Sequence, residues 1–132
     1  MAGLTLDAGA LIAADRDDRR FWAYWSEALT RDADMTVPAV AVAQAWRGSR
    51  HARMARIIGA CAVEPLDESA AREVGLLCAA SGATDIVDVA VVLGASRRGD
   101  DILTSDAGDL RAIAEHSPLP VRVLDLTDLH TR

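Results

Sequence analysis

The chain has 132 residues and a mass of 14.0 kDa, which predicts a single domain over 1–132, because a chain of this length builds one core. Hydrophobic residues make up 51% and charged residues 26% of the sequence, which excludes a disordered chain and favours a soluble globule. The formal net charge of -6 excludes a broadly basic surface, so any contact with nucleic acid must use a local cationic patch.

Membrane and secretion signals are absent from the sequence pattern. The longest apolar runs, 37–43 and 89–95, are far below the roughly 18 residues that a membrane-spanning helix needs. The N-terminus lacks the basic leader of a signal peptide. We therefore expect a cytoplasmic protein without a membrane partner. Its cysteines, Cys61 and Cys78, belong to no CxxC motif and are expected to be reduced thiols.

The hydrophobic periodicity predicts an alternation of strands and helices along the chain. The order is a strand at 4–6, a helix at 17–31, a strand at 34–37, helices at 39–47 and 50–60, a strand at 62–66, a helix between Asp67 and Gly82, a helix at 86–96, a strand at 102–104, a helix at 109–116 and a strand at 121–126. This order predicts an α/β fold with a mainly parallel central sheet.

Three local details accompany these elements. Residues 7–10 are small and predict a turn after the first strand. Trp22, Trp25 and Leu29 recur at helical spacing and are expected to form the apolar face of the helix at 17–31. Ser49 is expected to cap the helix that follows it.

Acidic residues are placed where a parallel sheet forms its sites, beyond the carboxyl ends of the strands. Asp7 follows the first strand and Asp106 follows the strand at 102–104, while Asp85 and Asp88 share one face of a nearly apolar helix. Converging carboxylates repel one another, and a hard divalent cation such as Mg²⁺ would offset that repulsion. Asp85 is equally well explained as an N-cap, and a first-turn role is favoured for Asp109.

Several motifs, in this order, resemble those of PIN-domain proteins of the VapC toxin type. They are Leu4-Thr5-Leu6-Asp7-Ala8-Gly9, Val37-Pro38, Gln44-Ala45-Trp46-Arg47-Gly48, Asp85-Ile86-Val87-Asp88-Val89-Ala90 and Leu103-Thr104-Ser105-Asp106. The resemblance covers almost the whole chain. It implies a three-layer α/β/α sandwich, a homodimer, and a Mg²⁺- or Mn²⁺-dependent endoribonuclease that is the toxin of a type II pair with a cognate antitoxin.

The resemblance also implies roles for individual residues. Asp7, Asp88 and Asp106 would hold the metal, with Asp85 as a further ligand. Asp109 would lie nearby, and Thr104 or Ser105 would help to orient the site. Water activated at the metal would attack an RNA phosphate and leave 5′-phosphate and 3′-hydroxyl ends.

One position departs from the family pattern. Gln44 stands where the family usually has Glu, and its amide oxygen can contact a cation or a metal-bound water but carries no negative charge. Asp85 could restore the missing charge from the neighbouring helix. The alternative function is a catalytically impaired PIN-like module that binds RNA or a protein partner.

Other surface residues are candidates for contact with RNA or a partner. Four arginines, at 47, 50, 53 and 56, would supply local positive charge; a solvated helix face is the simpler explanation for them. Trp22 and Trp25 are candidates for an antitoxin or dimer contact, with core packing as the alternative.

Other enzyme classes are excluded by missing residues. His51, His116 and His130 lack the spacing of a zinc hydrolase, and neither a GxSxG nor a Walker motif occurs. A receiver domain would resemble this α/β pattern but needs a lysine, and all 14 basic residues here are arginines.

Overall fold

A computed structural model describes residues 2–129, so His130 lies outside the described residues. The strands are Leu4–Leu6 (β1), Met35–Pro38 (β2), Ala62–Glu64 (β3), Asp101–Thr104 (β4) and Val123–Asp125 (β5). The α-helices are Ala8–Asp15 (α1), Arg19–Thr30 (α2), Ala39–Ala45 (α3), Ala52–Ala60 (α4), Glu68–Ser81 (α5), Ile86–Arg98 (α6) and Gly108–Ala114 (α7), and a 3₁₀ turn follows at Leu126–Asp128.

The strands form one all-parallel sheet in the order β3-β2-β1-β4-β5. Thr5 pairs with Thr36 of β2 on one side and with Ile102 of β4 on the other, which places β1 at the centre. Because parallel strands need helical crossovers, the helices cover the sheet and complete a three-layer α/β/α sandwich. The predicted fold class is confirmed.

The core is centred on β1, β4 and α6. Leu4, Leu6, Ile102 and Leu103 are fully buried, as expected for short strands covered on both faces. Residues 89–96 of α6 are all buried, and this helix packs against β1, β2 and β4. The apolar run is therefore a helix, as its acidic start and its Arg97-Arg98-Gly99 end predict, and Gly99 closes it with a left-handed φ of 70°.

The predicted turn at 7–10 is wrong, because the chain enters α1 directly after β1. The Asp7 side chain caps this helix by accepting the Ala10 amide hydrogen at 2.8 Å, which is the usual role of an N-cap aspartate. Small apolar residues continue the helix up to Asp15. Alanine is a strong helix former, so the run that suggested a turn is a buried helix instead.

The predicted apolar face of α2 is shifted. Phe21, Trp25 and Ala28 are buried, whereas Leu29 is 54% exposed. These buried residues follow an i, i+4, i+7 spacing. The Phe21 ring stacks on Trp25 with centroids 6.0 Å apart, so these two rings, and not Leu29, lie on the inner face of the helix.

Two further boundaries differ from the prediction. Ser49 does not cap α4, which begins at Ala52 after His51 without a side-chain cap. The last strand, β5, is shorter than the predicted 121–126. It ends at Asp125, whose carboxylate accepts the Thr127 amide hydrogen and begins the 3₁₀ turn. Within residues 2–129 no single helix is long and apolar enough to cross a membrane; only α5 and α6 taken together, across a 104° bend, reach that length and composition.

Candidate functional site

The strand order places the candidate site between β1 and β4. Successive crossovers leave β1 in one direction towards β2 and β3, while β4 and β5 lie on its other side. In open parallel sheets this switch point opens a crevice beyond the carboxyl ends of the two central strands. Asp7 follows β1, and Asp106 lies two residues beyond the last residue of β4.

Asp7 is held rigidly and is 7% exposed. Its Oδ1 accepts the Ala10 amide hydrogen, and its Oδ2 accepts a hydrogen bond from the Thr104 hydroxyl at 2.5 Å. Burial raises its pKa to about 6, although these hydrogen bonds lower it; the neighbouring Asp106 charge adds to the rise. A buried carboxylate thus lies at the carboxyl end of β1, and its ionisation carries a cost in free energy.

Asp88 lies within the electrostatic influence of the other acidic residues of the site. It is half-buried in the first turn of α6, and burial is the main cause that raises its pKa to about 6. The charges of four other aspartates raise it further, those of Asp85, Asp7, Asp109 and Asp106. The five carboxylates, called the acid cluster below, therefore lie close enough to repel one another.

Asp85 and Asp109 line one side of the acid cluster. Asp85 is the N-cap of α6 and accepts the Asp88 amide hydrogen at 3.0 Å, so the capping interpretation holds. Asp109 lies in the first turn of α7, where Ala107 is the N-cap and has no side-chain cap. Together with Asp88 they line a cavity of about 300 Å³ between α6 and α7.

Hydrogen bonds of Thr104 hold the loop after β4 in place. The Thr104 hydroxyl, fully buried, donates to Asp7 and accepts the Asp106 amide hydrogen at 3.1 Å. Ser105 is exposed and lies over Gly9: a Cβ built at Gly9 would come within 2.4 Å of the Ser105 Oγ. A glycine at position 9 therefore allows the β4 loop to approach α1 closely.

Asp125 is a positioning residue that sequence reasoning missed. It ends β5, and its Oδ2 accepts the Ala107 amide hydrogen at 3.0 Å. This bond fixes the backbone between Asp106 and α7. The signal was present, since Asp125 is another aspartate at the carboxyl end of a predicted strand.

The other predicted residues lie apart from these hydrogen bonds. Gln44 is exposed near the end of α3, the helix that packs against α6. Trp25 is 5% exposed and packs in the core, as its alternative interpretation proposed. Trp22 is partly buried, and its indole nitrogen donates to the Ala14 carbonyl at 3.2 Å. The four predicted arginines are all exposed, at positions 47, 50, 53 and 56.

The donor set suits a hard divalent cation. Carboxylates are the ligands that Mg²⁺ prefers, and one or two of them suffice when waters and a substrate phosphate complete the shell. Within residues 2–129 no three His, Cys, Asp or Glu side chains are already grouped as the ligands of one ion. The acid cluster thus offers carboxylates of the type that Mg²⁺ prefers, but no closed set of ligands among the described residues.

Comparison with solved structures reveals the same fold. A chain of FitAB, in its structure bound to the IR36 DNA fragment, has a TM-score of 0.68 and 17% identity over 98% of this chain and 99% of that chain. The chain has a PIN-like fold. VapBC2 from Rickettsia felis, bound to a DNA fragment from its promoter, has a TM-score of 0.66 and 10% identity, covering 92% of this chain and 98% of that chain.

PAE2754 from Pyrobaculum aerophilum is also similar, with a TM-score of 0.59 and 15% identity over 92% of this chain and 83% of that chain. These likenesses confirm, at the level of structure, the resemblance that the ordered motifs predict. Neither a protein-family model nor a curated protein matches the sequence.

Proposed function

We propose that the protein is a Mg²⁺- or Mn²⁺-dependent endoribonuclease and the toxin of a VapC-type toxin-antitoxin pair. The observation that carries this proposal is the acid cluster at the switch point of a PIN-like fold, where the charges of four aspartates act on Asp88. Such repulsion costs stability and is offset by a divalent cation. An arrangement that costs stability without a ligand is typical of a functional site.

Asp7, Asp88 and Asp106 would hold the metal, with Asp85 as a further ligand. When bound, Mg²⁺ or Mn²⁺ lowers the pKa of a water molecule and neutralises charge on an RNA phosphate. The chain's own contribution is orientation. Thr104 and the Ala10 amide fix both oxygens of Asp7, and Asp125 fixes the loop that carries Asp106.

The products would be a 5′-phosphate and a 3′-hydroxyl end, following the resemblance. Asp109 lines the cavity beside Asp88, and we assign it to the binding of water around the phosphate. Ser105, exposed next to Gly9, is suited to a hydrogen bond with the RNA backbone, because serine hydroxyls both donate and accept.

The toxin assignment extends to partners. The solved structures of FitAB and VapBC2 with the same fold are complexes with DNA. We propose that this chain pairs with a cognate antitoxin, forms a homodimer and acts in the cytoplasm.

A second candidate function rests on Gln44. A PIN-like module without the usual fourth acid would bind RNA or a protein partner without cleaving it. Gln44 is exposed on α3 and supplies no charge, whereas Asp85 and Asp109 bring the number of acids in the cluster to five. That surplus favours the active enzyme.

The test is incubation of metal-stripped protein with total bacterial RNA, with and without Mg²⁺ or Mn²⁺. We expect discrete cuts that require metal and disappear in Asp7→Asn and Asp88→Asn. Glu115→Gln, at an exposed acid outside the cluster, is the matched control and should cut like the parent. Cuts only in Gln44→Glu would identify an impaired module, and cuts that persist in Asp7→Asn would refute the assigned site.

A further inference from the structure

The distribution of charge along the chain is uneven. Although the net charge is -6, no Asp or Glu occurs between Asp34 and Glu64, a segment with arginines at 47, 50, 53 and 56. All four are exposed; Arg53 and Arg56 belong to α4, whose Met54 and Ile57 are buried, and Arg47 and Arg50 precede it. One side of α4 thus packs on the core, and another presents Arg53 and Arg56 to solvent.

Three of these four arginines lie around an open hollow at the surface. An open hollow of about 550 Å³ is lined by Arg50, Arg53 and Arg56, which we call the arginine face, together with Ala52 and Asp15. The Asp15 carboxylate is engaged on its inner side, with Oδ2 at 2.8 Å from the His51 Nδ1 and Oδ1 accepting the Met54 amide hydrogen. The Arg53 guanidinium also lies 3.8 Å from the Asp17 carboxylate. Three guanidinium groups nevertheless outnumber these two carboxylates, so the hollow keeps a net positive charge.

An exposed aromatic ring is connected to the hollow through His51 and Asp15. Trp46 is 39% exposed, and its ring lies 5.0 Å from the His51 ring at an angle of 59°. His51 is itself fixed, since its Nε2 accepts the Arg47 amide hydrogen at 3.1 Å and its Nδ1 contacts Asp15. Trp46 thus offers an apolar ring that packs on His51, the partner of Asp15 in the hollow, and exposed aromatic rings near basic grooves are typical of proteins that stack bases of single-stranded nucleic acids.

We propose that Trp46 and the arginine face bind a single-stranded segment of RNA, with a base stacked on the indole and phosphates on the guanidinium groups. The proposal deepens the proposed function, on which its substrate class rests, by adding a binding site outside the acid cluster. Helix α1 connects the two, with Asp7 as its N-cap and Asp15 as its last residue. Its 8 residues rise about 12 Å, so a single strand of a few nucleotides can reach from one site to the other.

The first test measures binding of an oligouridylate of about 20 nucleotides, which exceeds the roughly 4–16 nucleotides that single-strand binding sites cover. All proteins carry Asp7→Asn to prevent cleavage, and metal is removed with chelator. Trp46→Ala should weaken binding by roughly 5- to 150-fold, the range for loss of one stacked base. Trp46→Phe keeps an aromatic ring and should retain most of the affinity.

Intrinsic fluorescence gives an independent readout of the same contact. The chain has tryptophans at 22, 25 and 46. Trp46 is exposed, whereas Trp22 is partly buried and Trp25 is buried. Oligouridylate should quench the emission of the parent, and this quenching should disappear in Trp46→Phe while Trp22→Phe retains it. A thermal unfolding curve for each variant verifies that it is folded.

The second test addresses the arginines through the salt dependence of binding. Replacing all three arginines of the face by Gln should make the slope of log K against log salt less steep by about 2, because each phosphate contact on a single strand contributes about 0.7. The matched control removes the same charge at exposed arginines elsewhere, namely Arg19, Arg72 and Arg97. It should leave the slope almost unchanged.

The outcomes separate this inference from the proposed function. RNA binding that depends on Trp46 and the arginine face supports the inference even if the parent cuts no RNA. Metal-dependent cleavage combined with unchanged affinity and slope in these variants overturns the inference and leaves the proposed nuclease standing. Equal binding of polyglutamate, with the same loss in Trp46→Ala, also overturns it and identifies an acidic protein partner instead.

Discussion

Replacing Asp7 by Asn should stabilise the metal-free protein at neutral pH while removing its response to metal. Asp7 is 7% exposed, and burial raises its pKa to about 6 from the ordinary value of 3.8. Ionisation at pH 7 therefore works against folding. Asparagine is nearly the same size and keeps an oxygen that can accept the Ala10 amide hydrogen, so the cap of α1 is retained.

The magnitude follows from the difference between the folded and unfolded pKa values. Between pH 4 and pH 6 the folded protein holds more protons at Asp7 than the unfolded chain does, so stability falls as the pH rises through this window. A shift from 3.8 to about 6, at 1.36 kcal/mol for each pH unit, amounts to about 3 kcal/mol at most. Asp7→Asn should therefore raise the free energy of unfolding by up to about 3 kcal/mol at pH 7.5 and by almost nothing near pH 4.

The assay is urea denaturation in chelator at several pH values between 4 and 8, repeated with Mg²⁺. The parent should gain stability with Mg²⁺, as any ligand that binds only the folded state requires, whereas Asp7→Asn should gain much less. Glu115→Gln, at an exposed position, controls for the change in net charge. Equal stability of the parent and Asp7→Asn at every pH would refute the assignment of a destabilising charge to Asp7.

Two further predictions concern the support of the site and the core. Thr104→Val removes the hydrogen bond that lowers the pKa of Asp7, so the pH midpoint of Mg²⁺ binding, measured by titration calorimetry, should move above that of the parent. The control Ser105→Ala should leave this midpoint unchanged. A downward shift in Thr104→Val would contradict the role assigned to the Thr104 hydroxyl. Phe21→Ala removes a fully buried ring and should lower the free energy of unfolding by about 3–5 kcal/mol. Leu29 is 54% exposed, so Leu29→Ala should lower it by under about 1 kcal/mol. Similar losses in the two variants would mean that Leu29 is buried, as the spacing of Trp22, Trp25 and Leu29 predicts.

Much of the fold was predictable because short parallel strands are buried on both faces and leave a clear apolar signal. The five predicted strands contain the observed ones apart from one residue each of β2 and β4, namely Pro38 and Asp101. Helix α1 was missed because its small residues resemble a turn, and only the Asp7 cap and burial against the sheet reveal a helix. The face of α2 was misplaced because Phe21 and Trp22 are adjacent, and tertiary packing decides which ring is buried.

The candidate site was predictable to the extent that topology alone controls it. Carboxyl ends of parallel strands meet at one edge, so Asp7 and Asp106 follow from the strand assignments. The contact of Thr104 with Asp7 joins residues 97 positions apart, and that of Asp125 with Ala107 depends on the pairing of β4 with β5. Such contacts follow from the packed fold and carry no signal in the spacing of the motifs.

The net charge of -6 by itself argues against RNA as a ligand, yet the fold separates the charges along a single helix. The acid cluster adjoins the start of α1, where the aligned peptide dipoles favour negative charge at Asp7. The arginine face adjoins the other end, where the same dipoles favour positive charge, and the Asp15 carboxylate there is engaged with His51. A chain with an excess of acids thus keeps a cationic surface about one helix length from its acid cluster, so the local arrangement of charge, and not its sum, decides which ligand it can bind.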